Sequence, residues 1–371
     1  MNHFTPNVAP RSRIGQLSVE RAVGEIRAGR PVLIRAAREA VLACAAEALD
    51  TDMLSRLEGW MPRGGHARLV LPLPRLRHLG AVADAAGAIA LPRLDPARIA
   101  MLAMHLGGKI DAPVAALVAL DHAALELARL AQVLPAVLVA PSSQRKAGLE
   151  ILRVAAVDVF ADRAARALTL RLISRAPVPL EGAPQTEFVV FRGGEGLRDQ
   201  VAIVIGTPDP AKPVPVRLHS ACLTGDLLGS LKCDCGDQLR LTVRHMAENG
   251  GGILLYLDQE GRGNGLSNKI RAYRLQTQGY DTYDSDAILG FDQDQRRFDF
   301  AAEMLRQLGV TRVELFTNNP EKIAALERAG LAVATHRRIA GRATEQNLGY
   351  LATKRDRAGH FLDAGLATAK T

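Results

Sequence analysis

The 371-residue chain reads as an α/β (α+β) protein of two domains, and three observations predict this. Short strand-like segments at 31–34, 67–71, 253–257 and 312–316 alternate with longer segments whose apolar residues recur at helical spacing. The length suits two domains of roughly 150 to 200 residues each. Pro177, Pro179, Gly182 and Pro184 punctuate the middle and predict a linker within 175–186, so the expected division is 1–183 and 184–371.

Taken in order, residues 1–16 read as a flexible lead. Val19, Ala22, Val23 and Ile26 share one face of a helix over 18–27, with Ser18 as N-cap and Gly29 as its stop. A buried strand over 31–34 follows. Helices are expected over 39–57, 81–88, 95–106 and 114–130, with strands over 67–71 and 136–139. In the second half, strands are expected over 187–191, 201–205, 214–218, 253–257, 312–316 and 331–335, and helices over 237–248, 268–276 and 298–308, with another starting at Asn319.

Hydrophobic content of 48% with 23% charged residues is ordinary globular composition, enough for a sizeable core. The formal net charge is +8, and the first 185 residues carry 23 Lys+Arg against 16 Asp+Glu, so the basic excess belongs to the N-terminal half. No RNA- or DNA-binding signature accompanies it, which predicts a solvated arginine-rich surface and no nucleic-acid partner. The start lacks a basic region followed by an apolar one, so no secretory signal is expected. Asp121, His122, Glu126 and Arg129 interrupt the apolar stretch 113–141 well short of the ~20 residues a spanning helix needs, so no membrane partner is expected either. Cys44 is isolated while the other three cysteines cluster, which suits metal binding in a reducing cytoplasm rather than disulfides.

That cluster is the chemical centre of the sequence. Cys222 follows Arg217-Leu218-His219-Ser220-Ala221, and ten residues separate it from the pair Cys233-Asp234-Cys235. Zn²⁺ takes four tetrahedral ligands, and a catalytic site leaves one position for water, so three cysteines favour an open, hydrolytic zinc. A closed knuckle completed by His219 or His245, or three buried thiols, fits the same spacing. Gln259-Glu260-Gly261-Arg262-Gly263-Asn264-Gly265 follows the apolar run 253–257; its glycines allow close backbone approach to a phosphate, or simply a turn. Lys269, Arg271 and Arg274 on the next helix suit either solvent or a polyanion. Thr317-Asn318-Asn319-Pro320-Glu321-Lys322 places an N-cap and a first-turn proline at a helix start, which is also a natural anion site.

Residues 217–236, 259–280, 290–298 and 317–322 resemble, in order and spacing, the motifs of GTP cyclohydrolase II, and the resemblance runs from about residue 186 to 360. It implies a mixed sheet with flanking helices and one catalytic Zn²⁺ on Cys222, Cys233 and Cys235. Arg217, His219, Ser220, Gln238, Glu260, Gly261, Arg262, Thr282, Thr317 and Lys322 would surround GTP, with Tyr273 nearby and Mg²⁺ on the triphosphate. Asp294 would be the proton acceptor and Arg296 the residue acting on the α-phosphate. Water activated by zinc would attack C8 of guanine, formate and pyrophosphate would leave, and riboflavin synthesis would begin. A homodimer is the usual assembly of such families.

Three positions depart from the family pattern. Ala221 replaces a usual glutamate, Asp258 a usual arginine, and Tyr283-Asp284-Ser285-Asp286 a valine-glutamate-alanine-asparagine type segment. A paralogue in pyrimidine catabolism and a noncatalytic nucleotide-sensing zinc protein are therefore alternative expectations. The N-terminal half resembles 3,4-dihydroxy-2-butanone-4-phosphate synthase at Gly29-Arg30-Pro31-Val32-Leu33-Ile34. It then offers Arg35-Ala36-Ala37-Arg38-Glu39-Ala40 instead of that family's acidic cluster. A hard divalent cation needs several oxygen ligands, so that activity is expected to be absent.

Overall fold

The computed structural model describes residues 13–37, 39–142, 150–194, 197–292, 294, 296–342, 344–349 and 355. Two compact units emerge: the first comprises the described residues up to Ala165 with Ser267–Thr277 and Asp284–Asp294, and the second the remainder.

The first unit contains α1 (Arg13–Arg27), β1 (Val32–Ala36), β2 (Glu39–Ala45), α2 (Thr51–Trp60), β3 (Ala67–Leu71), α3 (Leu73–His78), β4 (Gly87–Leu91), α4 (Pro96–Ala103), β5 (Val114–Ala116), α5 (Ala119–Leu130), β6 (Val137–Pro141) and β7 (Arg153–Ala155). Helix α6 (Ala156–Leu168) leads out of it. The sheet order is β5-β4-β3-β6-β2-β1-β7, antiparallel except for β1 against β7. Successive side chains point to opposite faces of a strand. Ile34, Val41, Ala43 and Val70 accordingly pack with α1 and α5, while Leu33, Leu42, Cys44 and Leu69 pack with α2, α3 and α4. The face assigned to α1 is as the spacing predicts, since Val19, Ala22, Val23 and Ile26 are all buried.

Because both faces are covered, several strands here are continuous apolar runs, and four expectations are corrected. The expected helix over 39–57 is β2, a short 3-10 turn and α2, because β2 is paired on both sides by β1 and β6 and this outweighs the helical preference of its alanines. Residues 87–91, expected to be partly helical, form β4, where a Cβ on Gly87 would lie 2.2 Å from Val114 Cγ1. The helix expected over 114–130 begins only at Ala119, with the Asp121 carboxylate accepting from Val118 N at 3.1 Å. Helix α1 starts before Ser18, whose hydroxyl donates to Ile14 O at 2.9 Å within the helix rather than capping it. Gly29, at φ +76°, ends α1 as predicted. The expected lead lies outside the described residues up to position 12, and residues 13–16 are helical.

The second unit contains β8 (Arg171–Pro177), β9 (Thr186–Arg192), β10 (Gln200–Ile205), β11 (Val214–Ser220), α7 (Leu223–Asp226), α8 (Cys235–Glu248), β12 (Gly252–Leu257), the start of α9 (Leu266–Gln276) and of α10 (Thr282–Ile288), α11 (Asp299–Gln307), β13 (Arg312–Phe316), α12 (Pro320–Arg328) and β14 (Ala332–Arg337). Its order is β14-β13-β11-β12-β10-β9-β8, with β12, β11, β13 and β14 mutually parallel and β10, β9 and β8 antiparallel. The linker expected over 175–186 is shorter: β8 runs to Pro177 as an edge strand, where a residue without an N–H is tolerated. The family-like tail 350–360 lies outside the described residues apart from Arg355. Among the described residues, no helix is long and apolar enough to cross a membrane.

Candidate functional site

Parallel strands end on the same side of a sheet, and ligands of such sheets bind beyond their carboxyl ends. Strands β11, β12 and β13 are parallel and end at Ser220, Leu257 and Phe316, so the cysteine loop, the glycine loop and the Thr317–Lys322 turn all leave the sheet at that edge.

Cys222 follows β11 directly, Cys233 lies in the next turn and Cys235 opens α8. Their three sulfurs lie within 4.8 Å of one another, with Cys222 Sγ and Cys233 Sγ 3.6 Å apart. Zinc–thiolate bonds of ~2.3 Å in a tetrahedron separate sulfurs by about 3.8 Å, so the donor set has the spacing and chemistry of a Zn²⁺ site. Two glycines permit this crowding. A Cβ on Gly225 would sit 2.7 Å from Cys233 Sγ and 2.9 Å from Cys222 Sγ, and one on Gly236 would sit 2.2 Å from Gly225 O. The neighbouring Cys222 thiol, then burial, push the Cys233 thiol up to about 11, and Cys222 and Cys233 raise Cys235 as well. Three thiolates side by side, two of them buried and that of Cys235 half-buried, need a cation to neutralise them.

His219 is not drawn to these sulfurs. Its Nε2 lies 3.0 Å from Asp226 Oδ1, while Asp226 Oδ2 accepts from Cys222 N at 2.9 Å and from Tyr256 Oη at 3.0 Å. Tyr256 stacks on the imidazole at 5.6 Å. Burial lowers the His219 pKa, so the ring is neutral at pH 7 and donates from Nε2 to the carboxylate. Its Nδ1 is a buried acceptor with no partner among the described residues, and the buried donor Nε of Arg217 likewise has none. The Arg217 guanidinium, held at about 10 by burial and still charged at neutral pH, donates to Gln238 Oε1 at 2.5 Å and to Phe316 O at 3.4 Å. Gln238 in turn donates to Asp234. Buried polar atoms are normally satisfied, so orphans beside a thiol cluster mark a ligand position.

The other loops converge on the same edge. Ser220 Oγ donates to Gln259 Oε1 at 3.1 Å and accepts from Arg296 Nη1 at 3.2 Å, and Gln259 Nε2 donates to Arg297 O at 2.6 Å. Arg296 and Lys322 both lie against the buried Phe298 ring, at 5.4 and 5.2 Å from its centroid, and Lys322 Nζ donates to Leu218 O. Glu260 Oε2 accepts from Leu223 N at 2.6 Å, which ties the glycine loop to the cysteine loop. Gly261, Arg262 and Gly263 are all left-handed, at φ +61°, +60° and +88°, and the Arg262 guanidinium lies 4.3 Å from the Tyr283 ring centroid. Thr317 Oγ1 accepts from Asn319 N at 3.0 Å, and Asn319 Oδ1 caps α12 by accepting from Glu321 N at 2.9 Å. Thr282 opens α10 and is half-buried. Tyr273 and Asp294 fall on the segments grouped with the first unit. Tyr273 is half-buried with Lys269 Nζ 5.6 Å from its ring centroid, and Asp294 is exposed.

Asp226, Tyr256 and Phe298 belong to this arrangement and escape the sequence reading. Asp226 sits four residues after Cys222, a signal that could have found it. Tyr256 and Phe298 look like core residues in any apolar pattern.

A family model for GTP cyclohydrolase II matches residues 171–338. The GTP cyclohydrolase-2 of Xylella fastidiosa (strain Temecula1) is 44% identical over 362 residues, covering 95% of this chain and 89% of that protein. The riboflavin biosynthesis protein RibBA of Bacillus subtilis is 49% identical over 166 residues, covering 44% of this chain and 42% of that protein. A solved two-domain 3,4-dihydroxy-2-butanone 4-phosphate synthase from A. baumannii aligns with 87% of this chain and 99% of its own at 16% identity and a TM-score of 0.32. With 44% identity to the Xylella fastidiosa protein sustained along nearly its whole length, the chain belongs to the GTP cyclohydrolase II family.

Proposed function

We propose that the chain hydrolyses GTP to 2,5-diamino-6-ribosylamino-4(3H)-pyrimidinone 5′-phosphate, formate and pyrophosphate, the first step of riboflavin biosynthesis. The observation that carries this reading is the set of three sulfurs at ligating distance beside the unpartnered Arg217 Nε and His219 Nδ1. Zinc held there supplies Lewis acidity and makes water reactive near neutral pH. Asp226 fixes the Cys222 backbone and the imidazole tautomer, so His219 Nδ1 can accept a hydrogen bond from substrate. Arg217 Nε donates to substrate while its other nitrogens stay anchored.

The polyphosphate is met by Arg262, Lys322 and the backbone of the Thr317–Lys322 turn, with Mg²⁺ on the triphosphate. Asp294 takes the proton. Arg296 acts as a fixed cation: its hydrogen bond to Ser220 and its place over Phe298 use the protonated guanidinium, and arginine's pKa exceeds ~12. Replacing Arg296 with lysine keeps the charge and is expected to retain part of the activity, whereas a nucleophilic role predicts complete loss. Residues 1–183 carry no synthase activity, since Glu39 stands without the oxygen ligands that a hard cation requires. Residues 184–371 form the catalytic portion of a cytoplasmic homodimer.

Formate release from GTP, with and without a zinc chelator, tests the reading. Formate that disappears on chelation and returns with Zn²⁺ is expected. Zinc binding with no formate points instead to nucleotide sensing, and a different purine or pyrimidine product points to catabolism.

A further inference from the structure

The first unit buries a guanidinium that the reaction does not use. Arg75, on α3, is 1% exposed. Its Nε donates to Leu102 O at 2.8 Å, and its Nη2 to Met101 O at 3.1 Å and His105 O at 2.8 Å, so it satisfies the carbonyl end of α4. Its remaining nitrogen, Nη1, donates at 3.0 Å to Ile288 O, the last carbonyl of α10. Burying a charge answered by carbonyls alone is costly, and capping α4 does not need the fourth bond. That bond reaches the segment 284–294, which ends at Asp294.

Other contacts grip the same segment. Gly290, at φ +89°, presents its α-carbon to the start of α3 so closely that a Cβ would lie 2.9 Å from Pro72 Cγ and 3.4 Å from Arg75 Cβ. Ile288, Leu289 and Phe291 share an apolar cluster with Leu134. Arg129 pairs with Asp292 at 3.4 Å. The accompanying segment 267–277, which carries Tyr273, is held in the same manner: Glu47 Oε2 accepts from Arg271 Nη1 at 2.7 Å and from Leu134 N at 2.9 Å.

We infer that Arg75 is a positioning residue for the reaction: it sets the backbone at Ile288 and thereby the approach to Asp294. This rests on the reading of Asp294 as proton acceptor.

The test uses the full zinc-loaded chain and its variants Arg75→Met and Arg75→Lys, comparing formate turnover with amide hydrogen exchange. The amides of Leu289, Gly290 and Phe291 are bonded to Ser285 O, Ala287 O and Asp286 O and so report on the segment directly. In Arg75→Met they are expected to exchange at least about tenfold faster, while Ala221 N on Leu257 O keeps its protection. Misplacing a reacting group by an ångström costs up to ~10²-fold, so kcat is expected to fall by roughly 10- to 100-fold with KM within about twofold. Arg75→Lys is expected to recover part of both. Unchanged exchange overturns the grip, and faster exchange with unchanged kcat overturns its role in the reaction. Should Arg75→Met fail to fold, native-state exchange of the unaltered chain decides: Leu289–Phe291 must open together with Met104 and His105 at the end of α4, and separate opening overturns the inference. An unaltered chain that releases no formate counts against the proposed reaction, and the exchange measurements then judge the grip by themselves.

Discussion

Gly225 has room for a hydrogen atom and no more, since a Cβ would come within 2.9 Å of the Cys222 and Cys233 sulfurs. Gly225→Ala is expected to lose zinc while keeping its far-ultraviolet circular dichroism, which metal analysis beside the spectrum checks. Asp226 holds the first ligand by its backbone and His219 by its ring, the kind of outer contact whose loss weakens metal binding by ~10- to 100-fold; competitive chelator titration of Asp226→Asn measures this. The departures from the family pattern also acquire physical content. Asp258, where arginine is usual, turns its carboxylate to the amides of Leu197 and Arg198 at 2.8 and 2.9 Å, tying down the turn between β9 and β10. Tyr283 supplies the ring face that receives Arg262. Ala221 contributes its backbone N–H to Leu257 O at 2.8 Å, a role that needs no particular side chain.

At the scale of elements, α12 joins stability to function. Asn319 caps it and Thr317 braces the cap, so Asn319→Ala is expected to cost about 1 kcal/mol in denaturant unfolding and to raise KM for GTP more than it lowers kcat. This element was legible because asparagine, proline and glutamate at a helix start each have a local reason to be there. Strands β12 and β13 were legible too, β12 as a short apolar run ended by turn residues and β13 as Val313, Leu315 and Phe316 set among charged residues before the Thr317-Asn318-Asn319-Pro320 turn. Strands β2 and β4 were not. Their alanine-rich runs suit a helix by propensity, and only pairing with β1, β6, β3 and β5 makes them strands. The short helices α7 and α10 carry no apolar period from which they could be read.

For the whole molecule, zinc binding at the cysteine cluster is expected to be linked to folding of the second unit, because thiols crowded together without a cation resist ionisation. Free zinc at about 1,000 times its dissociation constant is expected to stabilise the protein by ~4 kcal/mol, and chelation to lower the melting temperature accordingly, which calorimetry checks. The chain does not divide into units in simple succession, since Ser267–Thr277 and Asp284–Asp294 pack with the first. No proline, glycine or charge pattern announces this. The apolar residues that make the packing, Leu275, Ile288 and Phe291 among them, look like those of any helix or turn.

The sequence by itself determined the chemical groups on offer: three clustered thiols, the cations and glycines that accompany them, and the order in which they occur. These depend on residue type and local spacing, which the chain states outright. The tertiary structure alone decided which carboxylate braces Cys222 and His219, which ring lies beneath two cations, and which buried arginine donates to the Ile288 carbonyl. Those roles belong to residues brought together from distant positions by sheet order and close packing, and no local pattern encodes them.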